Sequence, residues 1–363
     1  MKAYLILEDG KCYAGTAIGA NREVISEIVF QTAMTGYQEV LSDPSYAGQA
    51  VVMTYPLIGN YGVSHNDMES RKPWPDAFLV REMARVPSSW RMDNTLENFL
   101  KEHNIPGIAG LDTRSLTKHL RRNGTMNGCI TTKEYQGDER EALLERIRAY
   151  RVCDAVSKVT AKEPRHMRGG LADGKKVALI DLGTKQNIIR ELEKRGCNVC
   201  IYPADTPANE ILKSGPDGIM LSNGPGDPAD NQEIIQEIRK LYEANVPIFA
   251  ICLGHQLMAL AAGAKTYKLT YGHRGGNHPV KELSTGRVFI SSQNHGYAVD
   301  IKSLDPKIAK ESFRNVNDGT NEGISYVGKP IRTVQFHPEA KPGPTDTEFL
   351  FDEFVQMMEV RHA

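Results

Sequence analysis

From Lys176 onward the chain alternates between unbroken apolar runs and stretches with helical spacing. KVALIDLG (176–183) is an apolar run of strand length. KQNIIRELEKRG (185–196) repeats its apolar positions every three to four residues and stops at Gly196. CNVCIYP (197–203), DGIMLSNG (217–224) and PIFAI (247–251) read as further strands, and QEIIQEIRKLYEAN (232–245) as a further helix. Strands without polar alternation are buried on both faces, and strands that alternate with helices form βαβ units. The pattern predicts an α/β fold with an open, mostly parallel sheet covered by helices on both faces. DTEFLFDEFVQMMEV (346–360) is expected to close this domain as a helix.

The first half is less periodic. It shows short strands, many turns, and helical pieces near 95–102 and 112–122. This predicts a smaller α+β domain over residues 1–155. A polar stretch with Pro164 and paired glycines follows, and is expected to act as a linker over 156–174. The α/β domain then occupies 175–363.

Bulk properties narrow the function. Lys and Arg number 44 against 45 Asp and Glu, and a general nucleic-acid binder normally carries a basic excess. No apolar run approaches the ~18 residues of a membrane span, so neither nucleic acid nor membrane is an expected partner. The N-terminus reads as a strand and a turn rather than a secretory signal. Six cysteines, at 12, 129, 153, 197, 200 and 252, are too sparse for a disulfide framework. A reducing cytoplasm is the expected setting.

One of these cysteines occupies a special junction. FAICLGHQLMAL (249–260) passes from the PIFAI strand directly into helical spacing, with Cys252 at the turn. Ala250 and Gly254 are small, so the backbone can bend sharply there. This has the logic of a nucleophile elbow, which exposes a reactive side chain at the carboxyl edge of a sheet. The helix that follows aims free N–H groups and a positive dipole end at the sulfur, which favours the thiolate. The alternative is a buried structural cysteine.

A base would decide between them, and IRTVQFHPEAKPGP (331–344) supplies one. A strand delivers His337, and Pro338 favours extended geometry at the residue before it. His337 and Glu339, at i and i+2, can then share a face. Nucleophile, base and orienting carboxylate are thus available as Cys252, His337 and Glu339. His255 competes as base, but it lies in the first helical turn and leaves little room for substrate. LSNGPGDP (221–228) adds glycines after a strand, where backbone N–H groups can approach an oxyanion. Removing one such donor typically costs ~3–4 kcal/mol.

Together, ICLGHQ, HPE and NGPGDP resemble the nucleophile, His–Glu and oxyanion motifs of class I glutamine amidotransferases. FQTAMTGYQEVLSDPSYAGQAVVMTYPLIGNYG (30–62) and GIAGLDTRSLTKHLRRNGTMNGCI (107–130) are similar to the N-terminal domain of the small, glutamine-hydrolysing chains of carbamoyl-phosphate synthases. GHRGGNHPV (272–280) and SQNHGYAVD (292–300) fit the same family. The resemblance implies a β/β/α N-terminal domain that docks a large subunit. It implies glutamine hydrolysis through a glutamyl thioester. It also implies glutamine contacts at Ser45, Gly224, Gly226, Leu253, Gln256, Asn294, Gly296 and Tyr297, with the N–H groups of Leu253 and Gly224 as oxyanion donors. Ser45 would come from the N-terminal domain.

No phosphate-binding G-x-x-x-x-G-K-[ST] loop occurs in the chain. The resemblance therefore implies no cofactor here, with ATP and Mg2+ in a large partner that makes carbamoyl phosphate for arginine and pyrimidine synthesis. A stand-alone γ-glutamyl hydrolase and a non-enzymatic relative are the rival readings. The first has no need of the N-terminal domain, and the second is disfavoured by the presence of Cys252 and His337.

Metal signals are weak at this level. Cys197 and Cys200 form a C-x-x-C, but no second pair completes a zinc site and i, i+3 in a strand face opposite ways. His273 and His278 flank glycines, with no carboxylate cluster in sequence beside them. The expectation is that no metal is bound. RSLTKHLRR (114–122) reads as a solvated helix face.

Overall fold

The computed structural model describes residues 1–167 and 171–360. The chain divides into two compact units, Met1–Cys153 and Asp154–Ala363.

The first unit contains β1 (Lys2–Leu7), β2 (Cys12–Gly19), β3 (Val24–Gln31), β4 (Gln49–Met53), β5 (Leu57–Ile58), β6 (Ala77–Leu79), β7 (Glu82–Met83), β8 (Pro106–Ala109) and β9 (Met126–Thr131). Among the described residues seven of these close a barrel in the order β1-β2-β8-β6-β4-β3-β9, while β5 and β7 pair separately. Closure leaves no open strand edge on that sheet. Helices α1 (Tyr37–Ser42), α2 (Leu96–Glu102), α3 (Thr113–Asn123) and α4 (Gly137–Ala149) complete the unit. α2 and α3 begin where the sequence places helical pieces. Each has a side-chain cap: Thr95 accepts from the Asn98 N–H, and Asp112 from the Ser115 N–H.

The second unit begins within the expected linker. The described residues of 156–174 are not an unstructured tether. They hold most of α5 (Ala155–Val159) and the edge strand β10 (Arg165–Met167); the rest of the expected linker includes residues 168–170, which lie outside the described residues. The physical reason lies in Val156, Val159 and Ala161, which are buried in the core of this unit. β10 pairs antiparallel with β12.

The elements that follow are β11 (Lys176–Asp181), α6 (Gln186–Lys194), β12 (Asn198–Pro203), α7 (Ala208–Lys213), β13 (Gly218–Leu221), α8 (Gln232–Glu243), β14 (Ile248–Ile251) and α9 (Leu253–Ala261). After them come β15 (Lys265–Glu282), β16 (Val288–Asp300), β17 (Ala309–Asn315), β18 (Asn321–Tyr326), β19 (Ile331–Val334) and α10 (Phe349–Val360). One sheet runs β10-β12-β11-β13-β14-β19-β18-β17-β15-β16. Strands β12, β11, β13, β14 and β19 are parallel, as the βαβ pattern predicts. The sheet then continues as an antiparallel extension through β18, β17, β15 and β16.

The parallel strands are buried on both faces. Ala178, Ile180, Ile219, Leu221, Ile248 and Ala250 pack on one side with α7, α8 and α9. Val177, Leu179, Met220, Phe249 and Ile251 pack on the other with α6 and α10. Residues of one strand alternate between the two cores, as a period of two requires. Cys197 and Cys200 follow this rule: Cys197 is buried in one core and Cys200 packs against the other.

Candidate active site

Cys252 stands between the last residue of β14 and the first of α9, with φ 53° and ψ −105°. A side chain rarely adopts positive φ, and such strain persists only where surrounding contacts impose it. Here the Cys252 N–H donates to Val334 O of the neighbouring strand at 2.9 Å, and its carbonyl accepts from Gln256 N at 3.1 Å. Gly254 makes the bend possible. A Cβ there would press on the backbone and side chain of Leu221. The sulfur is buried, and its Sγ donates to Asn294 O on β16 at 3.7 Å.

Strand β19 lies beside β14 in parallel register, with Val334 opposite Ile251. This adjacency carries His337, three residues further on, to the same sheet edge as Cys252. The His337 N–H donates to Ser292 O at 2.9 Å, which pins the turn to β16. The ring Nδ1–H donates to Glu339 Oε1 at 2.7 Å, while Nε2 is buried without a hydrogen-bond partner. Burial disfavours the imidazolium, but the Glu339 charge, together with the Glu339 hydrogen bond and the nearby Cys252 thiol, outweighs it, so His337 is held above the usual histidine range. Burial likewise opposes the Glu339 carboxylate. Lys185 and His337 overcome it and hold Glu339 below the usual range. Cys252, His337 and Glu339 are thus one connected, buried row.

His255, the rival base, faces elsewhere. Its Nδ1 is bonded to Thr333 Oγ1 at 2.8 Å and the residue is fully buried. Burial drives its pKa down to about 3, so it is a neutral core histidine.

The other expected positions of the second unit gather around this row. Gly224 follows β13, and a Cβ on it would meet the Leu253 side chain at 2.8 Å and run into Leu182 O. Only glycine lets that loop approach the start of α9. Gly226 has φ 89°, a conformation that suits glycine. Gln256 donates from Nε2 to Tyr297 O at 2.8 Å and to Gln335 Oε1 at 2.9 Å, tying α9 to the Asn294–Gly296–Tyr297 stretch of β16. Ser45 belongs to the first unit. It sits in the turn Pro44–Tyr46, where its N–H donates to Asp43 Oδ1 at 2.9 Å.

Comparison with known proteins now decides the family. Residues 178–357 match the family described as glutamine amidotransferase class-I, and residues 5–130 match the carbamoyl-phosphate synthase small chain, CPSase domain. A carbamoyl phosphate synthase small chain of Listeria monocytogenes is 51% identical over 358 residues, covering 98% of this chain and 97% of the relative. One from Fusobacterium nucleatum is 51% identical over 352 residues, covering 97% of each. A pyrimidine-specific small chain of Halalkalibacterium halodurans is 48% identical over 360 residues, covering 99% of this chain and 98% of the relative. The chain belongs to the carbamoyl phosphate synthase small-chain family.

Within this small chain the structure adds a residue that sequence reasoning passed over. Lys185, the residue before α6, is 2% exposed. Its Nζ donates to Glu339 Oε1 at 2.8 Å and to Lys341 O. Its N–H donates to Asn223 Oδ1 at 3.1 Å, linking it to the loop after β13. Asn187 donates from Nδ2 to Glu339 O at 2.6 Å. A signal existed: a lysine at a helix N-terminus opposes the helix dipole, so its presence asks for another reason. Among the described residues no helix is long and apolar enough to cross a membrane.

Proposed function

We propose that this small chain hydrolyses the side-chain amide of glutamine and passes the ammonia to a large, ATP-using partner, which makes carbamoyl phosphate from bicarbonate. The Cys252 sulfur attacks the carboxamide carbon while His337 takes the thiol proton. The oxyanion is held by the N–H groups of Leu253 and Gly224. The C–N bond then breaks, and His337 returns the proton to the departing ammonia, leaving a glutamyl thioester. Water attacks the thioester with His337 again as base. The C–S bond breaks, the sulfur regains its proton, and glutamate leaves. Glu339 keeps the His337 ring oriented and stabilises its positive charge. Gly226, Gln256, Asn294, Gly296 and Tyr297 bind the amino acid, and Ser45 is a further proposed glutamine contact on the strength of its DPSY motif. ATP and Mg2+ belong to the partner, and the product feeds arginine and pyrimidine synthesis.

The observation that carries this reading is the strained Cys252 turn beside a buried His337–Glu339 pair at 2.7 Å. The match of residues 5–130 to the CPSase domain family favours it over a stand-alone hydrolase.

Cys252→Ser tests it. The variant is expected to lose glutamine hydrolysis by on the order of a thousandfold or more. Combined with the large chain it should still form carbamoyl phosphate from free ammonia. Glutamine hydrolysis at the wild-type rate would refute the assignment. The wild-type chain alone is expected to hydrolyse glutamine weakly, and faster when the large chain is added.

A further inference from the structure

The sequence places no carboxylates near His273 and His278, but the folded chain does. His273 on β15 and His295 on β16 are directly opposed cross-strand partners, and their ring centroids lie 4.9 Å apart. Glu322 on β18 reaches the same point. One ligand atom from each of His273, His295 and Glu322 falls within 4.8 Å of the other two, and all three residues are buried.

The hydrogen bonds around these residues leave donor atoms facing inward. His273 donates from Nε2 to Asp318 Oδ2 at 2.7 Å, which leaves Nδ1 with no hydrogen-bond partner, 3.6 Å from Glu322 Oε1. His295 bonds Tyr297 O through Nδ1 at 2.8 Å, and its Nε2 faces Gln293 Oε1 at 3.2 Å, a contact that metal binding would replace. Glu322 Oε1 accepts from Asn315 Nδ2 at 2.9 Å, while Oε2 is buried and unpartnered. A metal-binding histidine typically donates its second ring N–H to a carboxylate or a backbone carbonyl, which fixes the tautomer and aims the bare nitrogen. His273 shows that arrangement in full, His295 shows the outer bond to a backbone carbonyl, and Glu322 presents an unused oxygen.

We propose that His273, His295 and Glu322 form a divalent transition-metal site, best suited to Zn2+. Two imidazoles and one carboxylate are a known zinc donor set, with water or a neighbouring side chain as fourth ligand. Zn2+ bonds of about 2.0–2.1 Å ask for ligand atoms about 3.3 Å apart. The His273–Glu322 pair, at 3.6 Å, is near that already, and the His295 ligand atom lies within 4.8 Å of both. Asp318 and Tyr297 O are the outer groups that orient the ligands. The Arg274 guanidinium beside His295 opposes a second cation, so affinity rests on direct metal–ligand bonds. The site would clamp β15, β16 and β18 together. His295 directly follows Asn294, whose carbonyl accepts from the Cys252 thiol.

The test uses tag-free, full-length Cys252→Ser protein, which lacks the competing active-site thiol. It is titrated with Zn2+ by calorimetry and with Co2+ by visible absorption. One ion per chain is expected, with the ligand-field bands of a four- or five-coordinate nitrogen–oxygen site and no sulfur-to-cobalt charge transfer. Glu322→Gln and His273→Gln should abolish binding. Asp318→Asn, a change at a partly exposed side chain that spares the core, should weaken it by about 10- to 100-fold. Failure of the Cys252→Ser protein to bind either ion would overturn the proposal. So would a sulfur charge-transfer band, or binding that Asp318→Asn leaves unchanged.

Discussion

At the scale of single residues, the buried row of Cys252, His337 and Glu339 is held by charges that cannot be altered one at a time. Glu339 is fully buried and balanced by Lys185 on one side and His337 on the other. Removing one partner of a buried ion pair leaves an uncompensated charge, at a cost of about 3–5 kcal/mol. Lys185→Met should therefore destabilise the chain by that order in denaturant titration. It should also lower the rate of glutamine hydrolysis, because Glu339 and the turn through Lys341 lose their anchor. Wild-type stability and turnover in Lys185→Met would show the lysine to be dispensable. Cys252, His337 and Glu339 were legible because each lies in a short local pattern: a strand-to-helix turn with small neighbours, and an i, i+2 pair after a strand. Lys185 was not, because it meets Glu339 only after the chain has folded and it opens an otherwise ordinary amphipathic helix.

At the scale of elements, helix α9 is tied to β19 through His255 and Thr333. His255 has a folded pKa of about 3, well below the ordinary value of 6.5. The unfolded chain thus binds this proton more readily than the folded one, and stability falls as pH drops from 6.5 towards 3. Between pH 7 and pH 5 this one group should cost about 2 kcal/mol. His255→Gln should show a correspondingly smaller loss between those two pH values in urea unfolding. An unchanged loss would place the acid sensitivity elsewhere. The parallel strands β11, β13 and β14 were plain in the sequence because both faces are apolar. The long hairpin β15–β16 was not. Its strands are only partly buried, and register shifts interrupt their pairing between Lys268 and His273 and between Gly275 and His278. Neither period survives such interruptions over a useful window. The same lack of period hid the barrel of the first unit, whose strands are short and whose order mixes neighbours distant in sequence.

At the scale of the whole molecule, each unit has its own core, and the cysteines report on both. Cys129 lies in the first unit and Cys197 in the second, and burial pushes their thiols up to about 12 and about 11. Cys12 and Cys153 are exposed. Since the thiolate is the reacting form, brief alkylation of the native chain at neutral pH should modify Cys12 and Cys153 and spare Cys129 and Cys197. Peptide mapping reads this directly, and early modification of Cys129 or Cys197 would mean that the unit holding it opens readily. The division into two units was visible in the sequence as a change of periodicity. The region between them was misjudged, because its few apolar residues, Val156, Val159 and Ala161, are too scattered to show a period yet are enough to dock it.

The most direct measurement uses a diazoketone analogue of glutamine, which alkylates the nucleophile that attacks it. The wild-type chain should gain one adduct, mapped to Cys252, with loss of glutamine hydrolysis in step. Glutamine should protect it, and His337→Asn should react far more slowly. An adduct at any other residue, or an inactivated chain with Cys252 unmodified, would contradict the assignment of this sulfur as the nucleophile.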